Sequence, residues 1–317
     1  GKDFTAPVND GIVSVDISDF AAGDYTANAV YTGVNYMNST DVLPFKVTPA
    51  DSSVELIDVS VVYGESLRVN VTSNGRAVDE GSVMISVNGR NFTSPVNGGI
   101  VSVDISELSA GDYNGILYYK GINFKEATEA ISFKLVAADS SISANACDVS
   151  FGNSVVIDVE VKSPSRVVNE GNVSISIGGK DYACEVKDGI ASIEIPDLAV
   201  GKYSGELRYN AVNFKNASKS VSFNVVLYDS SISVNASDVS FGNSVVIDVE
   251  VKSPSMVVNQ GNVSISIAGK DYSCDVKEDR ASIEIPGLAV GNYSGEISYR
   301  AVNFKNTSKS VSFKVMP

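Results

Sequence analysis

Ile100–Lys120 reads IVSVDISELSAGDYNGILYYK, and this stretch comes back three more times in the 317-residue chain. Its counterparts are Ile12–Thr32 (IVSVDISDFAAGDYTANAVYT), Ile190–Asn210 (IASIEIPDLAVGKYSGELRYN) and Arg280–Arg300 (RASIEIPGLAVGNYSGEISYR). Each reads as an alternating strand, a corner built on Leu/Phe-x-x-Gly-x-Tyr, and a second alternating strand. The corner glycines Gly111, Gly201 and Gly291 are 90 residues apart, and Gly23 precedes Gly111 by 88. A fixed period of this size marks a row of small domains, each able to bury its own core, rather than one large core.

Working outward from that stretch, the rest of each repeat is also β in pattern. In the third repeat Val155, Ile157, Val159 and Val161 share one strand face, with Asp158, Glu160 and Lys162 on the other. Val173, Ile175 and Ile177 follow, then a Gly178-Gly179 turn whose equivalent is Asn88-Gly89, a two-residue hairpin signal. Seven short alternating strands in about 90 residues, with no helical stretch, is the pattern of an immunoglobulin-like β-sandwich. Leu108/Tyr113, Leu198/Tyr203 and Leu288/Tyr293 match a tyrosine corner before the sixth strand, while the Cys–Trp–Cys core of antibody domains is absent. Pro7 and Pro95 have outward parity on the fifth strand, where an edge location would tolerate them.

The expected organisation is a C-terminal half-repeat at 1–49, followed by complete repeats at 50–137, 138–227 and 228–317. The half-repeat lacks everything that matches Ala138–Gly178, so its strands come from elsewhere in a longer polypeptide or from another chain. The connectors, such as Val226-Leu227-Tyr228-Asp229, are too short and apolar for flexible linkers. The expected architecture is therefore all-β, tandem immunoglobulin-like sandwiches stacked into an extended rod.

A net charge of −14 without a single His argues against nucleic acid and removes the usual general base and commonest metal ligand. No nucleophile has a base in reach by pattern, so no catalytic residue, metal ligand or cofactor site is assigned. Asp158/Glu160 and Asp248/Glu250 look like paired carboxylates, yet their outward parity makes them a solvated face. Asp51, Asp139 and Asp229 stand at repeat entrances, where a junction cation or, more simply, a turn would use them. Lys134, Lys162, Lys252 and Lys314 have outward parity, which excludes them from a buried isopeptide cross-link. Cys184 and Cys274 have inward parity and read as small buried hydrophobes; Cys147 reads as outward, and all three as free thiols. No apolar run approaches the ~20 residues needed to span a bilayer.

Asn-x-Ser/Thr acceptor triplets for N-glycosylation stand at Asn38, Asn70, Asn91, Asn172, Asn216, Asn235, Asn262, Asn292 and Asn306. The turn after the sixth strand carries an aromatic in every repeat: Tyr36, Phe124, Phe214 and Phe304. These rings are candidates for contact with sugar or protein, or for a plug that packs one repeat on the next. Repeats differ most around Ser163–Asn169 (SPSRVVN), Ser253–Asn259 (SPSMVVN) and Ser73–Asp79 (SNGRAVD), the place to expect a contact surface.

The Asp-Ser-Ser start, the block GNVSISIGGKDYACEVKDGIASIEIPDLAVGKYSGELRY and the later VNFKNASKSVSF resemble tandem bacterial Ig-like (group 3) repeats. Such repeats are typical of adhesin-like surface proteins of methanogenic archaea. The resemblance covers the whole chain and implies export, cell-surface display and a role in attachment or envelope structure, without enzymatic activity. Asp279 departs from it, replacing the glycine found at Gly11, Gly99 and Gly189, a change Asp tolerates at positive φ. The reading that follows is an extracellular, glycosylated, adhesin-like stalk that projects a binding region. Its partners would be other surface molecules or glycans, or neighbouring copies of the chain. The alternatives are a filament or envelope subunit completed by a neighbour's strands, and a carbohydrate-binding module.

Overall fold

The computed structural model describes all residues, Gly1–Pro317, and every regular element in it is a β-strand. Its contacts divide the chain into two units, Gly1–Asp139 with Val212–Phe214, and Ser140–Ala211 with Lys215–Pro317.

The second unit holds two sandwiches of the same design. In the third repeat, Ser141–Ala146, Val155–Lys162 and Ile190–Ile195 form a three-stranded antiparallel sheet. Facing it, Lys180–Glu185, Asn172–Ile177, Gly201–Asn210, Ala217–Val226 and the short Val149–Ser150 form a five-stranded sheet. Register follows the alternation: Val155, Ile157 and Val159 pair with Ile195, Ile193 and Ala191, and all six are buried. Against them lie Val173, Ile175, Leu207, Tyr209 and Phe223 from the other sheet, also buried. Each such aliphatic side chain contributes about 1.5–3 kcal/mol when fully withdrawn from water. The fourth repeat repeats this plan from Ser231–Ala236 to Thr307–Met316.

Two details go beyond the seven-strand expectation. The first strand breaks at Cys147-Asp148 and its tail, Val149–Ser150, crosses to the opposite sheet to run parallel to Ala217–Val226. The Asp148 carboxylate fixes the crossover by accepting from the Asn224 backbone N–H at 2.7 Å and its side-chain Nδ2 at 2.9 Å. Lys180–Glu185 joins the five-stranded sheet as its edge, where antibody constant domains keep the corresponding strand on the opposite sheet.

In the first unit, the second repeat has the same two layers, with Arg90–Pro95 as the edge strand that Pro95 requires. The half-repeat keeps only one regular pairing, Gly23–Tyr31 with Ser39–Val47. Its Ile12–Ile17 segment alternates like a strand but forms none, which corrects the strand–corner–strand reading of Ile12–Thr32. The cause is a missing partner: Ile100–Val103 and Ile190–Ile195 pair with Leu67–Ser73 and Val155–Lys162, and residues 1–49 have no equivalent. Val13, Val15, Ile17 and Leu43, which would face a core, are exposed.

All four tyrosine corners are formed. Tyr25, Tyr113, Tyr203 and Tyr293 donate their hydroxyls to the carbonyls of Ala21, Ser109, Ala199 and Ala289 at 2.7–2.9 Å. Each ring also stacks on the phenylalanine directly opposite, with Tyr203 and Phe223 centroids 5.7 Å apart. The hairpin signals hold as well: Asn88-Gly89 and Gly178-Gly179 all have positive φ, the I′ condition. Asp279 adopts φ 67° and uses its carboxylate to accept from the Val258 N–H.

Candidate functional site

The recurring site lies where one repeat ends and the next begins, and an asparagine organises it. In the Val/Ile-Asn-Phe turn the backbone is reversing, so its own N–H and C=O groups need partners. In the first unit the side-chain Oδ1 of Asn123 accepts from the N–H of Ala22, beside the corner of the preceding half-repeat, at 2.7 Å. Its Nδ2 donates to Glu80 Oε2 at 2.6 Å, while Glu80 Oε1 accepts from the backbone N–H groups of Ile122 and Asn123. The Asn123 carbonyl accepts from the connector residue Ala50 at 2.9 Å, and Lys125 N–H returns a bond to the Ala50 carbonyl. One turn thus holds the corner before it and the connector between.

The second unit builds the same joint between the third and fourth repeats. Val200 N–H donates to Asn303 Oδ1 at 3.2 Å, Asn303 Nδ2 donates to Gln260 Oε1 at 3.1 Å, and Tyr228 N–H donates to the Asn303 carbonyl at 2.9 Å. Only Leu227–Ser230 separate the strands Ala217–Val226 and Ser231–Ala236, and Tyr228 is itself paired in a bridge to Phe304. The ring of Phe304 is 1 % exposed and meets Phe151 edge-on at 6.0 Å and Tyr228 at 6.3 Å. Gly152 lies so near Met256 that an added Cβ would sit 2.6 Å from its Cε. The divergent Ser253–Asn259 segment therefore does make a contact, and its partner is the neighbouring repeat. Within the first unit Asn213 and Phe214 do the same work: Ala110 N–H donates to Asn213 Oδ1 at 2.7 Å and Phe214 meets Tyr63 edge-on at 5.6 Å.

The four aromatics differ in burial. Phe214 and Phe304 are buried, Phe124 is half-buried, and Tyr36 is 75 % exposed. The asparagine before each phenylalanine, Asn123, Asn213 and Asn303, makes the hydrogen bonds, and its signal was the recurrence of Asn35, Asn123, Asn213 and Asn303 beside the rings. Asp51 and Asp229 pair with Lys125 and Lys305, so these entrances are ion-paired. No group of three or more His, Cys, Asp or Glu stands close enough to hold a metal.

The other candidate residues stay apart from the joints. Asp158 and Asp248 accept from Ser192 and Ser282, and Glu160 and Glu250 pair with Lys162 and Lys252. Those lysine contacts hold both glutamates below the usual carboxylate range. An open groove of about 900 Å³ runs past Asp248, Glu250, Cys274 and Arg280, mixing both charges on a solvated face. Cys184 and Cys274 are half-buried rather than buried, because their strands are sheet edges; Cys147 is exposed, and all three are free thiols. Of the acceptor asparagines, Asn70 and Asn262 are partly covered, and Asn38, Asn91, Asn172, Asn216, Asn235, Asn292 and Asn306 are exposed. Tyr209 and Tyr299 are wholly buried and donate to the carbonyls of Glu170 and Gln260; desolvation pushes both phenols up to about 12.

No protein-family model matches the chain, and no curated protein matches it by sequence. Among solved structures, one titled as a tetra-tandem repeat in the extending region of a large adhesion protein is 18% identical. It covers 96% of this chain and 84% of that one, with a TM-score of 0.42. Immunoglobulin domains 1–5 of Sidekick-1 are 15% identical over 98% of this chain and 70% of theirs, at a TM-score of 0.34. Yersinia pseudotuberculosis adhesin InvE is 14% identical over 55% of this chain and 59% of its own, at 0.32. These solved structures include a tandem repeat of an adhesion protein, a row of immunoglobulin domains and an adhesin; the chain itself is an all-β series of two-layer sandwiches.

Proposed function

We propose that this chain is a non-enzymatic stalk segment of an adhesin-like cell-surface protein, divided at 1–49, 50–137, 138–227 and 228–317. The observation that carries this reading is the joint. Asn123 and Asn303 each bind the corner of the preceding repeat and the connector at once, which leaves no slack for a swinging linker. A series of sandwiches coupled in this way acts mechanically, as a spacer that sets the distance between an anchor and a binding region. The acidic surface keeps such a spacer soluble and apart from its neighbours. The resemblance to group 3 Ig-like repeats of archaeal surface proteins supports an extracellular setting. The exposed acceptor triplets support glycans on its surface, which intact mass of native material would report.

Small-angle scattering tests the reading. Strands of ten residues at about 3.3 Å rise make each repeat roughly 30–40 Å long, so a stiff row gives a radius of gyration near 35 Å. A compact chain of this length gives about 20 Å, and that value would end the stalk reading.

The carbohydrate-binding alternative has less support, since the Phe214 and Phe304 rings are buried and offer no platform to a sugar.

A further inference from the structure

The joint between the third and fourth repeats carries a residue that the other repeats lack. Ser253–Asn259 reads SPSMVVN, and the position of Met256 is held by Arg76 in the second repeat and by Arg166 in the third. Its thioether lies on the Phe151-Gly152-Asn153 turn of the preceding repeat. A Cβ on Gly152 would sit 2.6 Å from Met256 Cε and 3.3 Å from its Sδ. Met256, Phe151 and Tyr228 all pack against the core of the fourth repeat, which includes the buried ring of Phe304. The adjacent Ser255 shares a hydroxyl–hydroxyl hydrogen bond with Tyr228 of the connector. One loop thus braces both the turn and the connector. Met256 is nevertheless only half-buried, so solvent reaches it.

We propose that Met256 is a site of oxidation, and that its sulfoxide loosens the joint between the third and fourth repeats. The oxidant is a peroxide. The sulfur lone pair attacks a peroxide oxygen, an S–O bond forms as the O–O bond breaks, and the departing hydroxide takes up the remaining proton and leaves as water. Sulfur loses two electrons and the peroxide gains them. The product places a polar oxygen where an apolar thioether packed against Gly152, and burying such an oxygen without a partner is unfavourable. The side chain turns out to water and its contact with the preceding repeat goes with it. Both cores stay closed, so the repeats remain folded while the row gains a bend point. Arginine at the equivalent positions undergoes no such change, so the device belongs to this joint. Sulfoxide reductases reverse the step, which makes it a switch. The inference rests on the stiff-joint reading and makes that stiffness depend on redox state.

Hydrogen exchange of the full chain, read by mass spectrometry, is the test. The reporters are the amides of Val200 and Tyr228, both bonded to Asn303 at the joint. Hydrogen peroxide that converts the 91 % exposed Met37 should also convert Met256, adding about 16 Da to its peptide. Exchange at both reporters should then rise on the order of tenfold. Val249 and Ile283, in the fourth core, should keep their protection. Met256→Leu preserves the apolar volume and should exchange slowly before and after treatment, although its other methionines and three thiols still meet the oxidant. A Met256 that stays unoxidised once Met37 is fully converted overturns the proposal. So do reporters that keep their protection when Met256 is oxidised, or a rise of equal size in Met256→Leu, which would assign the effect to another sulfur. Fast exchange at both reporters before any treatment would remove the joint itself and the proposal with it.

Discussion

Ala268 occupies a position that its neighbours in the other repeats fill more comfortably. It is the first residue of the turn between Asn262–Ile267 and Lys270–Asp275, with φ 49°, followed by Gly269 at 74°. The equivalent positions hold Asn88 and Gly178, residues that tolerate the left-handed region. An alanine there carries a steric cost of about 1–2 kcal/mol, of which asparagine relieves part through local hydrogen bonding. Ala268→Asn should therefore stabilise the fourth repeat by about 1 kcal/mol, and Asn88→Ala should cost the second repeat a similar amount. Urea denaturation of the two variants gives the measurement. A midpoint that falls for Ala268→Asn would contradict the I′ geometry of the turn.

At the scale of the element, the Asn303 turn couples two sandwiches that are otherwise self-sufficient, each with its own buried core. Asn303→Ala removes the acceptor of the Val200 N–H and the donor to Gln260, and a partly buried polar group left without a partner costs about 1–3 kcal/mol. Because the loss falls on the coupling and not on either core, the third and fourth repeats should cease to melt together, and calorimetry should resolve a broadened or split transition. Asn35→Ala, at a turn whose flanking Val34 and Tyr36 are exposed, should leave the melting profile unchanged. An equal effect from both changes would mean that the asparagine stabilises its own turn and not the joint.

The elements were legible where a single period decided them: the alternation of Val155–Val161, the corner before Tyr203 and the Asn88-Gly89 turn each state their own geometry. What stayed hidden depends on partners distant in sequence. Nothing in Cys147-Asp148 announces that the strand changes sheets, because the anchor is Asn224, 76 residues on. Ile12–Ile17 carries a strand's alternation and forms none, since hydrophobic periodicity describes a face and says nothing of whether its hydrogen-bonding neighbour exists. At the joints the ring advertises itself by size, whereas the asparagine that binds Val200 shows only as one polar letter repeated at a fixed place.

The whole molecule has no histidine, and its dependence on pH follows from what remains. On the acid side Asp58, Asp148, Glu160, Glu206 and Glu250 are all held below their ordinary values of 3.8 and 4.5. The chief cause in each case is a side-chain hydrogen bond, from Arg68, Asn224, Lys162, Arg208 and Lys252 respectively. A carboxylate depressed in the folded state contributes stability above its unfolded pKa, and that contribution disappears as pH falls through the folded one. The alkaline side is set by Tyr119, Tyr209 and Tyr299, whose buried phenols desolvation pushes above the ordinary value of 10, Tyr209 and Tyr299 to about 12. Between those values the unfolded chain binds fewer protons than the folded one, so stability falls as pH rises from about 10 toward 12 and is unaffected by these groups below 10. The expected profile of melting temperature is a plateau from about pH 5 to pH 8, with a decline below about 4 and another above about 10. Tyr119→Phe, Tyr209→Phe and Tyr299→Phe together should flatten the alkaline limb while leaving the acid limb in place, and scanning calorimetry across that range reads both. A midpoint that changes steeply between pH 6 and 7 would require a titrating group that this sequence does not contain.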